Sequence, residues 1–122
     1  MDVEELLSRY ATGERDFTGV KLSKASLIGA TLVGANFWGA DLSGANLARA
    51  KLWGANLSGA NLSRANLTRA NLSGAKLNEA NLRQAKLNFT KLFGASLSGA
   101  YYDGSTRFSK GFDPESQNMR KI

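Results

Sequence analysis

The chain has 122 residues, one domain's worth, with 16 Lys and Arg against 10 Asp and Glu for a net charge of +6. It contains no Cys and no His, which excludes disulfides, zinc–thiolate sites, thiol nucleophiles, Ser-His-Asp triads and His-based metal centres. Hydrophobic residues make up 43%, too many for an intrinsically disordered composition.

The first segment, residues 1–14, reads as a helix. Asp2 is placed to cap it, Val3, Leu6, Leu7 and Tyr10 recur at i, i+3, i+4 and i+7, and Gly13 is placed to stop it. It is expected to be a helical cap over the open end of whatever follows, with a partner-binding helix as the alternative. The start is acidic, with no apolar run fit for a signal peptide or a membrane span, so the expectation is a cytoplasmic protein without membrane contact.

From Arg15 the chain divides into pentads, RDFTG, VKLSK, ASLIG, ATLVG, ANFWG and onward to AYYDG at Gly104, eighteen in one register. The central position is Phe17, Leu22, Leu27, Leu32, Phe37, then Leu every five residues to Leu97, and last Tyr102. Two residues earlier stands Ala, from Ala25 to Ala100, except at Thr90. The position before the centre is polar and most often Asn, and eleven of the thirteen Gly lie two residues after it.

A period of five fits neither an α-helix, which needs 3.6, nor a flat strand, which needs two. It is satisfied if the chain turns a corner in every pentad, with Leu and Ala inward. Glycine after each side suits a corner with positive φ. Stacked coils would then pair like parallel strands about 4.8 Å apart. Thr90 puts a hydroxyl into this core, where it needs a backbone partner.

The last segment, residues 105–122, leaves the register. Phe108 and Phe112, with Tyr101 and Tyr102 before them, are expected to cover the last coil, and could in addition form a dimer contact. The polar tail from Pro114 is expected to fray.

The pentads resemble those of the pentapeptide-repeat family, whose motif is A(D/N)LXX; the resemblance covers residues 15–104. It implies an all-β solenoid, a right-handed quadrilateral β-helix of four pentads per coil and about four and a half coils, behind the short N-terminal helix. Departures are Arg15 and Val20 for Ala, Thr90 for Ala, and Tyr102 for Leu. Such repeats abound in cyanobacteria.

With twenty residues per coil, outward residues twenty apart stack. The face centred on Leu32, Leu52, Leu72 and Leu92 carries Val33, Trp53, Ser73 and Phe93, with Gly after each; Trp38 falls on the next face, Ile28 and Phe89 on the previous one. Val33, Trp38, Trp53 and Phe93 are therefore the candidate apolar interaction face, against the bland reading that they lie flat and shield backbone. Arg49 and Arg69 stack one coil apart with Arg64 at a neighbouring corner, a candidate basic stripe for phosphates or an acidic protein. Within the pentads there are eleven Lys and Arg and four Asp and Glu. No nucleic-acid motif accompanies the stripe, and the tryptophans do not interleave with the arginines.

Some family members are DNA mimics that bind DNA gyrase; mimicry needs an acidic surface, and this repeat is basic. Catalysis finds no footing either. Asp16, Asp41, Glu79 and Asp103 fall too far apart on the coil map to share a substrate atom, and no phosphate loop is present. The expectation is a non-catalytic scaffold or protein-interaction module without cofactor, with an anion- or nucleic-acid-binding surface as the alternative.

Overall fold

The computed structural model describes residues 1–122. Helix α1 runs Val3–Ala11; the Asp2 carboxylate accepts the Glu5 N–H at 2.8 Å at its start, and Gly13 follows it with φ of 103°. Leu6 is fully buried in the core, and Val3 and Tyr10 pack partly against it. Leu7, on the same predicted stripe, is exposed.

After the helix the backbone forms four parallel ladders whose rungs lie twenty residues apart. They run Asp16–Asn36–Asn56–Lys76–Ser96, Lys21–Asp41–Asn61–Asn81–Tyr101, Ser26–Asn46–Asn66–Lys86, and Thr31–Lys51–Asn71–Lys91. These are called here the first, second, third and fourth sides. Each coil thus has four sides of one pentad. Leu32 N donates to Lys51 O at 2.8 Å and Lys51 N to Ala30 O at 2.8 Å, and this pattern repeats along the ladders.

A turn closes each pentad. Ala35 N donates to Leu32 O at 3.1 Å across Val33 and Gly34. The second of the two turn residues takes a positive φ, as a type II turn demands. Glycine holds this place at most corners, but Lys24, Arg49, Arg64, Arg69, Glu79, Gln84 and Phe89 hold it too, with φ of 58–62°. Asparagine before the centre braces the turn: its Oδ1 accepts the N–H two residues on, as from Asn71 to Ser73 at 3.0 Å.

Inside, the central leucines and their alanines form one cluster that is almost wholly closed to solvent. Each buried leucine removes enough apolar surface for about 1.5–3 kcal/mol. Phe17 and Phe37 stack with ring centroids 5.7 Å apart. The Thr90 hydroxyl donates to Leu67 O at 2.6 Å, which settles its polar group inside the wall.

The regular register stops short of Gly104, whose φ is not positive, unlike that of the glycines at the regular corners. Strand β1 (Lys86–Leu87) pairs with β3 (Arg107–Phe108) at a spacing of 21. Strand β2 (Tyr101–Tyr102) pairs with β4 (Arg120–Lys121) at a spacing of 19. Side-chain oxygens replace backbone carbonyls at the slip: Gln84 N donates to Asp103 Oδ1 at 3.1 Å and Phe89 N to Ser109 Oγ at 2.8 Å. The expected fraying from Pro114 is not what the chain does. A 3-10 turn at Glu115–Gln117 returns it to the second side, and Met119 becomes buried.

Candidate interaction surface

On each side three side chains face outward: the residue ending one corner, the ladder residue, and the residue beginning the next corner. On the fourth side these rows are Gly29–Thr31–Val33, Arg49–Lys51–Trp53, Arg69–Asn71–Ser73 and Phe89–Lys91–Phe93. The column Val33–Trp53–Ser73–Phe93 is held by one hydrogen-bond chain, Gly34 N to Trp53 O at 3.0 Å, Gly54 N to Ser73 O at 2.9 Å and Gly74 N to Phe93 O at 2.9 Å. Coil spacing of about 4.8 Å sets Trp53 and Phe93 about 10 Å apart, with a serine between them.

Exposure differs along this column. Phe93 is 79% exposed and Trp53 42%, while Val33 is half-buried. The Val33 carbonyl, which has no earlier coil to bond, accepts the Tyr10 hydroxyl at 2.7 Å. Trp38 is 56% exposed but stands apart, in the column of Thr18, Ser58, Asn78 and Ser98 at the end of the first side. The four apolar candidates therefore divide into a column of three and a separate tryptophan.

The arginines divide as well. Arg49 and Arg69 share the corner column that opens the fourth side, and Phe89 is the next residue in that column. The Arg69 guanidinium lies over the Phe89 ring, 4.8 Å from its centre, a cation–π contact. Basic and aromatic residues thus meet on this side; the twenty-residue period already puts Phe89 one coil beyond Arg69, and the structure adds the contact between ring and guanidinium. Arg64 belongs to another corner, where its Nε donates to Gln84 Oε1 at 2.7 Å. There it lines a polar cavity of about 310 Å³ with Ser63, Arg83, Gln84 and Asp103.

Tyr102, Phe108 and Phe112 gather at the far end. Tyr102 meets Phe108 edge-on at 5.6 Å, and Phe108 stacks on Phe112 at 4.7 Å. Tyr101 is half-buried, with the Arg120 guanidinium 5.7 Å from its ring centre.

The three aspartates of the repeat serve the backbone. The Ser43 hydroxyl and N–H bond the Asp41 carboxylate at 2.7 and 3.0 Å, and with Lys21 nearby they hold its pKa below the ordinary carboxylate value. Thr18 does the same for Asp16 through its hydroxyl and N–H. At Asp103 desolvation pushes upward but is outweighed by the N–H groups of Gln84 and Ser105 and by Thr106, so its pKa is also lowered. No group of three or more carboxylates gathers to hold a metal ion. No helix is long and apolar enough to cross a membrane.

These features define a class: a repeat solenoid with four ladders, a filled core and an outer wall that carries whatever specificity the chain has. The family model for pentapeptide repeats matches eight copies, over residues 16–47, 45–84 and 61–99. The chain belongs to the pentapeptide repeat family, whose members fold as right-handed quadrilateral β-helices. It is similar to the crystal structure of alr5209, a pentapeptide repeat protein from Nostoc Pcc 7120, at 37% identity over 99% of this chain and 96% of that one, with a TM-score of 0.70. It is also similar to HetL, a pentapeptide repeat protein involved in heterocyst differentiation regulation from Nostoc sp. strain PCC 7120, at 32% identity over 89% of this chain and 57% of that one, TM-score 0.37. A third is Rfr23 from the cyanobacterium Cyanothece 51142, at 30% identity over 86% and 98%, TM-score 0.49. A sequence search of curated proteins finds no match.

Proposed function

We propose that the chain is a non-catalytic scaffold that binds another protein through the fourth side, with Trp53 and Phe93 as its apolar contacts and Val33 beside them. Trp38 is a separate contact at most, since it lies on another side. The observation that carries this is the exposure of two large aromatics in one rigid column, where serine is the common occupant of such positions. A column fixed by backbone ladders presents its side chains without a backbone ordering cost on binding.

In this reading residues 1–14 cap the first coil, residues 15–104 form about four and a half right-handed coils, and residues 105–122 close the last. The Tyr101, Tyr102, Phe108 and Phe112 group serves that closure; self-association through this edge is a second use of it. The protein works in the cytoplasm, without a cofactor. The alternative, binding of nucleic acid or another anion by the arginines, rests on Arg49 and Arg69, because Arg64 is turned to Gln84.

The test is capture of partners by wild type and by a Trp53→Ser, Phe93→Ser double variant, both checked for fold by circular dichroism. A protein retained by wild type and lost by the variant supports the reading. Equal retention by both overturns it. Salt separates the alternative, since phosphate binding weakens steeply with ionic strength.

A further inference from the structure

Negative charge is segregated around the coil. The four acids of the repeat, Asp16, Asp41, Glu79 and Asp103, all lie on the first and second sides. The third and fourth sides carry only cations within the repeat. On the fourth side these are Arg49, Lys51, Arg69 and Lys91, all exposed. Both ion pairs in the molecule are made by Arg9, with Glu5 and Glu14. The four cations therefore make no ion pair, and they share their side with Trp53, Phe89 and Phe93.

We propose that the fourth side binds an acidic, extended protein segment that carries apolar side chains among its carboxylates. This rests on the reading of that side as a protein interface and adds the chemistry of the partner. Along each row the outward residues alternate at i, i+2 and i+4, so they lie about 6.8 Å apart, the spacing of same-face residues on an extended strand. The row Arg49–Lys51–Trp53 offers two cations and then an apolar platform; Phe89–Lys91–Phe93 offers a cation between two. Carboxylates at alternate positions of a strand meet the former, and apolar side chains settle against Trp53 and Phe93. The glycine column Gly34, Gly54, Gly74 and Gly94 borders the aromatics and puts no side chain in the way of a close backbone approach.

Single-stranded nucleic acid is the competitor, since it too combines anions with flat apolar groups. The aromatics here favour the peptide. Trp53 is more than half covered, and one face of Phe89 is occupied by Arg69. Phe93, 79% exposed, is then the one ring left wholly open, and a run of successive bases needs successive open platforms.

The experiment is a fluorescence titration on a Trp38→Phe background, which leaves Trp53 as the sole tryptophan. The probes are a short peptide with glutamates and leucines at alternate positions and serines between, the same peptide with lysine for glutamate, and oligo-deoxythymidine. The expected result is a shift of Trp53 emission with the acidic peptide alone, weakened at least tenfold by Lys51→Glu, Lys91→Glu and less by the corresponding Gln pair. Equal response to both peptides, or a stronger response to the oligonucleotide, overturns the proposal. So does an acidic-peptide affinity unchanged in a folded Lys51→Glu, Lys91→Glu variant. Cellular partners lost by Trp53→Ser, Phe93→Ser but kept by the lysine variant would overturn only the acidic chemistry and leave the interface standing.

Discussion

The Tyr10 hydroxyl donates to the Val33 carbonyl at 2.7 Å, joining the N-terminal helix to the top of the aromatic column. That carbonyl would otherwise face the missing coil above it. Removing the donor in Tyr10→Phe should cost about 1 kcal/mol, the usual net value of one hydrogen bond. Leu6→Ala, at a fully buried position, should cost about 2–5 kcal/mol. Urea unfolding measures both. If Leu6→Ala were neutral, the helix would not be part of the folded core.

The corner column Gly29–Arg49–Arg69–Phe89 gives a matched pair of tests. Gly29 has φ of 67° with open space around it, and Arg49 has φ of 59°. Gly29→Ala therefore adds only backbone strain, about 1–2 kcal/mol for an L-residue in this region. Arg49→Gly removes such strain and should raise stability by up to about 1 kcal/mol. Thermal unfolding midpoints moving in opposite directions is the expected outcome. Movement in the same direction would place the effect outside the corner geometry.

Acid should destabilise this protein over a narrow range. The folded pKa values of Asp16, Asp41 and Asp103 are lowered, so their contribution is present above the unfolded value near 3.9. It is lost as pH falls through the lower folded values. With no His, stability should be flat between about pH 5 and 8 and fall below about pH 4. Asp41→Asn keeps the Oδ1 acceptor, as Asn does at the equivalent Asn61, where it accepts the Ser63 N–H at 3.0 Å. That variant should weaken the acid dependence with little change at pH 7. Melting temperature against pH checks this; an unchanged acid limb in Asp41→Asn would assign it elsewhere.

Much of this fold was legible because its forces repeat. Leu and Ala at fixed places in every pentad dictate which side faces inward, and glycine at the corner announces the positive φ. Asparagine at the ladder position is readable as a turn brace. What escaped was non-local. The slip between Tyr101 and Arg107 depends on Asp103 and Ser109 lending side-chain oxygens to N–H groups one coil back, and no pattern within the pentads encodes that. The return of Arg120–Lys121 to the second side is equally invisible in a polar tail. On the surface, the twenty-residue period gave the columns, but Arg69 over Phe89 is a side-chain choice. It puts an aromatic ring into the arginine stripe, while Arg64, which looked part of the stripe, turns away to Gln84.

The most direct test of the interface is in-cell photo-crosslinking from two equivalent corner positions. A photoreactive phenylalanine replaces Phe93, on the fourth side, or Ser98, which follows on the first side; both positions are exposed. If the fourth side is the interface, position 93 yields a discrete crosslinked protein that is absent from position 98. Adducts from 98 with none from 93, or none from either, would contradict it.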